Sequence, residues 1–449
     1  MISRLRLNLF TIRGPGSLGD RAIQSGVWIT GGFVLQRALQ FGSNLILTRL
    51  LFPEAFGTMA LATVFLVGLA MFSDIGLKPA IIRDPRGDDP HFLNTAWTLQ
   101  VIRGLGLFFV GCLLAYPVSL IYGQPILFPL LVVLSLTAAI SGFQTIGLVT
   151  AERRLDFFLP TAVALAGQVV GILALVAIAY FWRSVWALAA GNVIGSLATL
   201  VIGHLIIRGH QHSFTFEKEA ARSITNFGKW IFFSTIVTFL GGEGLRAIQA
   251  GFLTPADFGI VAIAYMIAGV PTDLMVRISN AIIPPTIIES VRNGQSFSDK
   301  IIKVRRILIF ASSLLVMLFI FSIEQLVTTI YDIRYHELSN IAKIIIISNW
   351  ISLMFCSYSN VILAIGSAKL NFYSSLIYSS LRVSITLIGF SWFGLHGGLA
   401  CLAIANFMHG MAILSISRSL GFCDFRFDIL MISLVSPIIF FFVLNEVIF

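Results

Sequence analysis

Residues 157–182 read FFLPTAVALAGQVVGILALVAIAYFW and carry no charge. A helix rises about 1.5 Å per residue, so this run is long enough to cross the roughly 30 Å hydrocarbon layer of a bilayer. Hydrocarbon offers no partner to a backbone N–H or C=O group. An unbroken apolar run must therefore satisfy those groups within itself, as a helix, whereas a membrane barrel would show ten-residue alternation. The rest of the chain repeats the pattern. Spans are expected at 23–48, 56–78, 93–116, 126–150, 157–181, 185–207, 226–251, 256–282, 307–328, 341–365, 371–392, 396–417 and 428–448. Of 449 residues, 57% are hydrophobic and 11% charged, against roughly 25% charged in an ordinary soluble domain. Mean hydropathy is +0.92. This composition excludes a soluble enzyme, a secreted disulfide scaffold and a disordered chain. No stretch is polar enough to form a separate water-soluble domain, which excludes a single-span receptor. The expected fold is an all-α polytopic membrane protein of about thirteen transmembrane helices.

The net charge of +9 raises the question of nucleic acid, but the basic residues sit in short loops between apolar runs. Topology explains them, and no nucleic-acid partner is expected. With the N-terminus in the cytoplasm, the tail and the loops at 78–92, 151–156, 208–225, 283–306, 366–370 and 418–427 hold 20 of the 30 Lys and Arg. The opposite side holds Arg49, Arg183, Arg334 and Lys343. Arg37, Arg103, Lys229, Arg246, Arg277 and Arg382 lie within spans. That asymmetry sets the orientation. Residues 1–22 form a basic cytoplasmic tail, not a cleaved signal peptide, because they lack an apolar core. The expected location is the bacterial cytoplasmic (inner) membrane. Cys112, Cys356, Cys401 and Cys423 form no CxxC pair and read as small packing residues.

A repeat at an offset of 202 residues organises the spans. Residues 26–62 begin GVWI and run through LLFPEAFGTMALA, while 228–264 begin GKWI and run through FLTPADFGIVAIA. Gly26 matches Gly228, Trp28 matches Trp230, Pro53 matches Pro255, and Phe56-Gly57 matches Phe258-Gly259. A weaker echo relates RLDFF (154–158) to KLNFY (369–373). Matched Trp, Pro and Gly in one register mark a real repeat. Six spans separate the copies, so both point the same way. The halves are then expected to be related by a pseudo-two-fold axis along the membrane normal, the plan of a transporter with two bundles around a cavity. The expected divisions are an N-terminal lobe at 23–207, a cytoplasmic linker at 208–225, a C-terminal lobe at 226–417 and an additional helix at 428–449. In the LxPxxFG stretch between the first two spans of each half, Pro is expected to end the helix and Gly to permit a tight outer turn.

The sequence resembles the polysaccharide-transport (O-antigen and exopolysaccharide flippase) branch of the multidrug/oligosaccharidyl-lipid/polysaccharide flippase superfamily. LLFPEAFG (50–57), ERRLDFF (152–158) and SVWALAAGNV (184–193) carry the resemblance in the first half. AIGSAKLNFY (364–373) and GLHGGLA (394–400) carry it in the second. The resemblance implies two six-helix lobes facing a central cavity. It also implies movement of an undecaprenyl-pyrophosphate-linked oligosaccharide from the inner to the outer leaflet, for O-antigen, capsule or exopolysaccharide. A thirteenth helix departs from the even counts associated with that family.

A lipid-linked sugar pyrophosphate needs fixed positive charge at membrane depth, and arginines in spans are too costly to face lipid. Arg37, Gln40 and Asn44 share a face of the first span, Gln100 and Arg103 a face of the third, and Arg382 lies on a polar stripe with Ser375, Tyr378, Ser379 and Thr386. Guanidinium forks match phosphate oxygens. Arg37, Gln40, Asn44, Gln100, Arg103, Arg246 and Arg382 are the candidate cavity and substrate-binding set. The competing reading is hydrogen bonding between helices. Glu243 and Arg246 stand three residues apart and can neutralise each other. The run Gly241-Gly242-Glu243-Gly244 should bend or unwind its span. Glu243, Asp74 and Asp273 are the candidates for ion coupling or gating, with Asp74 also placed to pair with Lys78. His210 and His212 read as solvated loop residues.

No catalytic residue, metal site or cofactor is expected, since no Walker A, GxSxG or HExxH pattern is present. The leading function is a lipid-linked oligosaccharide flippase. The alternatives are a lipid II flippase, a small-molecule antiporter of the same superfamily, and a polytopic glycosyl transferase or polymerase. The last lacks the long outer loop it would need. Expected partners are the lipid-linked oligosaccharide and membrane lipids, with a polysaccharide polymerase and glycosyltransferases as candidates.

Overall fold

A computed structural model of the chain describes residues 18–73, 76–207, 212–292, 298–364, 368–419, 424 and 426–433. The first half of the chain forms α1 (Leu18–Leu50), α2 (Pro53–Phe72), α3 (Leu77–Arg83), α4 (Pro90–Ile121), α5 (Leu127–Gly142), α6 (Gly147–Arg153), α7 (Phe158–Phe181) and α8 (Val185–Ile206). The second half forms α9 (Lys218–Gly241), α10 (Glu243–Phe252), α11 (Pro255–Arg292), α12 (Ser298–Ile330), a short 3-10 turn (Ile333–Tyr335), α13 (Leu338–Ala364) and α14 (Ala368–Ser419). Local chemistry sets several of these starts. Pro53 and Pro90 stand in the first turns of α2 and α4, where a missing N–H costs nothing. The Asp89 carboxylate caps α4 by accepting from the His91 and Phe92 N–H groups.

Eight helices among the described residues are long and apolar enough to cross a membrane, or nine if α5 and α6, bent by 60°, make one span. The expected thirteen exceed this count because α1, α9 and α10 are not among the counted helices, one counted stretch, Phe372–Arg418, covers two expected spans, and the last expected span is mostly outside the described residues. The expected span 226–251 is divided by a break at Gly242 (φ −113°, ψ −97°) into α9 and α10. This is the bend that the three glycines predict. The two expected spans 371–392 and 396–417 both lie in α14, on either side of Gly394, whose non-helical φ of +65° and ψ of −153° break α14 into two helical stretches inside the GLHGGLA stretch. Residues 434–449, most of the expected last span, lie outside the described residues.

Close helix packing rests on small residues. On α7 and α8, a Cβ at Gly171 would stand 2.9 Å from the Gly191 carbonyl oxygen, and one at Gly191 3.1 Å from the Gly171 carbonyl oxygen. The span Ile333–Ser359 is the most enclosed, with 72% of its apolar window buried, and it brings Trp350 and Tyr358 into the core. The LxPxxFG stretch differs from expectation. Pro53 opens α2 instead of closing α1, and Gly57 lies one turn inside α2, where that helix crosses α11. Glycine is needed there for close approach of two backbones, not for a turn.

Two short helices escape a reading based on spans. α3 and α6 form an elbow at the end that the charge count assigns to the cytoplasm. Arg153, in the ERRLDFF stretch, donates from Nη1 to the carbonyl oxygens of Ile81 (2.6 Å), Ile82 (2.9 Å) and Asp84 (2.6 Å). These are carbonyls that the end of α3 leaves without helical partners. Arg154 pairs with Asp88 at 2.7 Å, and Arg86 with Glu217 at 2.8 Å. Lys78 pairs with Glu152 at 2.6 Å. Asp74, its expected partner, lies outside the described residues.

Candidate functional site between the two copies of the repeat

α1 and α11 belong to opposite halves of the chain and meet through a charged cluster. Arg37 Nη2 donates to Asp273 Oδ2 at 2.5 Å, and Arg37 Nη1 to Gln40 Oε1 at 3.1 Å. The pair is partly open, with side-chain exposures of 31% and 42%. Phe33, one turn before Arg37, is buried and presents its ring to two cations. The Arg277 guanidinium sits 3.8 Å from the ring centroid and that of Arg37 at 5.3 Å. Such stacking lets two like charges share one site. Among the described residues, this is where the structure gathers the most of the expected set: Arg37, Gln40 and Asp273. Arg277 and Phe33 were missing from it. The signal for both was helical spacing, Phe33 to Arg37 and Asp273 to Arg277, each at i, i+4.

The other candidates stand elsewhere. Gln100 donates to the carbonyl oxygens of Ser141, Gly142 and Gln144, closing the end of α5. Arg103 donates to Ser73 Oγ (2.9 Å) and the Ala70 carbonyl oxygen (2.8 Å) at the end of α2. Arg246 pairs with Glu243 at 3.0 Å and lies 5.0 Å from the Tyr265 ring centroid. Arg382 donates to the Gly241 carbonyl oxygen at 2.8 Å and to Tyr378 Oη at 2.6 Å. It thereby serves a backbone group beside the break at Gly242. His212, expected to be solvated, stacks on Trp97 (centroids 5.0 Å, 11° between planes) and bonds Thr145 Oγ1 through Nε2. His210 lies outside the described residues.

Nearer the opposite ends of these helices, a seam joins the two halves. Tyr331 Oη donates to Asn44 Oδ1 (3.3 Å), and Tyr335 Oη to the Leu51 carbonyl oxygen (3.0 Å). Arg334 Nη2 reaches the carbonyl oxygens of Thr48 and Arg49, and Tyr122 Oη reaches that of Ala247 (3.0 Å). Asn44 thus belongs to the seam. Tyr331 and Tyr335 fall in the loop after α12, where no span-based reading looks for them.

Several apolar helices, with charged side chains from separate helices converging at depth, define a multi-pass membrane protein. The chain belongs to the family described as "Polysaccharide biosynthesis protein", which matches residues 46–340. It is 23% identical over 265 residues to the succinoglycan biosynthesis transport protein ExoT of Rhizobium meliloti (strain 1021), covering 58% of this chain and 51% of that protein. It is 24% identical over 261 residues to the lipopolysaccharide biosynthesis protein WzxC of Escherichia coli (strain K12), covering 57% and 52%. The matches thus span about half the length of these curated relatives. The fold is similar to that of a solved lipid II flippase MurJ in an inward closed conformation (TM-score 0.72, 14% identity, 93% of this chain and 92% of that one). It is also similar to an inward-facing multidrug resistance MATE family transporter of the MOP superfamily (TM-score 0.65, 15% identity, 85% and 94%).

Proposed function

We propose that this chain is a flippase carrying an undecaprenyl-pyrophosphate-linked oligosaccharide from the inner to the outer leaflet of the bacterial inner membrane. It would do so by alternating access, without covalent chemistry, in O-antigen, capsule or exopolysaccharide synthesis. The observation that carries this reading is the convergence of Arg37 and Arg277 on Phe33, with Asp273 holding Arg37. Two guanidinium groups against one carboxylate leave a net positive charge at membrane depth. A diphosphate neutralises it and matches the guanidinium fork. Asp273 then acts as the resident counter-ion that the cargo replaces. Family membership and the names of ExoT and WzxC support polysaccharide cargo.

In this reading the lobes are 23–207 and 226–417, with 208–225 between them and the N-terminus in the cytoplasm. The seam through Tyr331, Arg334 and Tyr335 is the outer gate in its closed position. Arg246 and Glu243, which satisfy each other, and Arg382 beside the Gly242 break are placed for movement of α9 against α10. Glu243 and Asp74 remain candidates for ion coupling.

The test is polymer export in cells carrying Arg37→Ala or Arg277→Ala, with the amount of protein in the membrane as control. Export should fall, and lipid-linked repeat units should accumulate on the inner leaflet. Arg277→Lys should retain part of the activity, since charge survives and the bidentate fork does not. Normal export by both alanine variants overturns the proposal. A small-molecule antiporter would instead show intact export and altered drug sensitivity when deleted.

A further inference from the structure

The segment 212–217, between α8 and α9, has no regular secondary structure and helps connect the two copies of the repeat. It is laid along the first turns of α4. The backbone N–H groups of Ser213, Thr215 and Glu217 donate to Asn94 Oδ1 (3.3 Å), Thr98 Oγ1 (3.1 Å) and Thr95 Oγ1 (3.1 Å). Alternate N–H groups thus find side chains of a helix where a sheet would offer a neighbouring strand. The phenylalanines in between point away from the protein: Phe214 is 69% exposed and Phe216 63% exposed. Phe214 lies 5.0 Å from Trp97, which also stacks on His212.

We propose that this segment is an interfacial anchor, lying in the headgroup layer of the bilayer with Phe214 and Phe216 inserted among the upper acyl chains. Two observations favour lipid as the occupant. Asn94 and Thr98 stand four and eight residues past Pro90, so at ~1.5 Å per residue the segment reaches roughly 6 to 12 Å along α4 from its start. Measured from the start of α4, a headgroup layer about 5 to 8 Å thick takes in the contacts at Asn94 and Thr95 and leaves that at Thr98 at the edge of the hydrocarbon. Next, the backbone is satisfied in the way a low-dielectric setting demands. A strand in water needs no side-chain acceptors, whereas non-helical backbone near the hydrocarbon does. Glu217, paired with Arg86, ends the segment where α9 begins. The anchor therefore fixes the depth from which the second half of the chain starts. The inference rests on the membrane reading and is independent of the cargo.

The experiment places a nitroxide at Phe214→Cys and, separately, at Phe216→Cys in full-length protein with its four native cysteines replaced. The protein is reconstituted in phosphatidylethanolamine/phosphatidylglycerol vesicles, with Lys218→Cys as the reference. Lipid-soluble oxygen and a water-soluble nickel chelate compete as relaxing agents. The ratio of oxygen to nickel collision should be several-fold higher at 214 and 216 than at 218. Substituting both Thr95→Val and Thr98→Val should lower that ratio by releasing the segment. A ratio at 214 and 216 equal to that at 218 places the segment in water and overturns the proposal. Exclusion of both agents, which means a protein partner covers the phenylalanines, overturns it as well. Because the two labelled sites are independent, misfolding of one variant leaves the other to decide.

Discussion

Gly57 and Gly259, equivalent residues in the two copies of the repeat, pack against each other reciprocally. A Cβ on Gly57 would lie 2.9 Å from the Gly259 backbone nitrogen, and a Cβ on Gly259 would lie 2.9 Å from the Gly57 backbone nitrogen. Each would also overlap a carbonyl oxygen of the other copy's proline, Pro255 for Gly57 and Pro53 for Gly259. A contact in which i meets j as j meets i is the signature of local two-fold symmetry. At this backbone-to-backbone crossing neither helix tolerates a side chain.

Adding that side chain should separate the helices. Gly57→Ala or Gly259→Ala is expected to cost about 1 to 3 kcal/mol, the usual range for overpacking. Thermal unfolding in detergent measures it. Gly251→Ala, where a Cβ meets nothing within 4 Å, is the control and should leave the midpoint almost unchanged.

The seam makes a second expectation. Tyr331→Phe and Tyr335→Phe each remove one hydrogen bond between the halves, at about 0.5 to 1.5 kcal/mol per bond. Removing both shifts the balance toward an open outer side by roughly 5- to 100-fold. Thr48, fully buried beside the seam, provides the reporter. A Thr48→Cys probe in a cysteine-free background should react faster with an impermeant thiol reagent once the tyrosines are changed. An unaltered rate would remove the seam as a gate.

Deep in the second half, Arg305 pairs with Asp428, stacks on Tyr358 and donates from Nε to Ser357 Oγ at 2.8 Å. Both charges are almost wholly enclosed. Asp428→Asn leaves the cation without its counter-charge and should cost about 3 to 5 kcal/mol. Replacing both by apolar residues, Arg305→Met with Asp428→Leu, should cost much less. Equal losses in the single and double variants would contradict this account.

The elbow carries a pH dependence. A hydrogen bond from Arg154, with its charge, holds the Asp88 carboxyl below the ordinary aspartate range. A group whose folded value is depressed contributes stability above its unfolded value, near ~3.9, and loses it as pH falls through the folded value. The difference in unfolding midpoint between wild type and Asp88→Asn should therefore be constant from neutral to mildly acid pH. It should vanish in stronger acid. Arg153→Lys, whose single ammonium cannot hold the carbonyls at the end of α3 and also pair with Asp88 as Nη1 and Nε do, should lower the midpoint at neutral pH.

Some of this organisation is legible in the chain. The apolar runs and the three glycines of 241–244 announce helices and a break, because each depends on residues close in sequence, and the repeat announces duplication by matched residues in one register. Arg37 and Asp273 are visible as costly charges in spans, yet nothing in the chain says that they bond to each other. Gln100 and Arg103 show the reverse. They are expected to line the cavity because they share a helix face, and the structure adds that they hydrogen-bond carbonyl oxygens at the ends of α5 and α2. A polar side chain in a span must find a partner, but sequence spacing does not reveal whether that partner is cargo, a counter-ion or an orphan carbonyl.

By itself, then, the sequence determined a helical membrane chain with a duplicated helix pair and arginines at depth. Hydrocarbon forces backbone groups to be satisfied locally, and that requirement is written in composition and period. Only the tertiary structure decided that Phe33, Arg37, Asp273 and Arg277 form one cluster, that Tyr331 and Tyr335 close the seam, and that Gly57 meets Gly259. Those contacts join residues roughly 200 or more positions apart, and their pairing is set by how the helices cross, which no local pattern encodes.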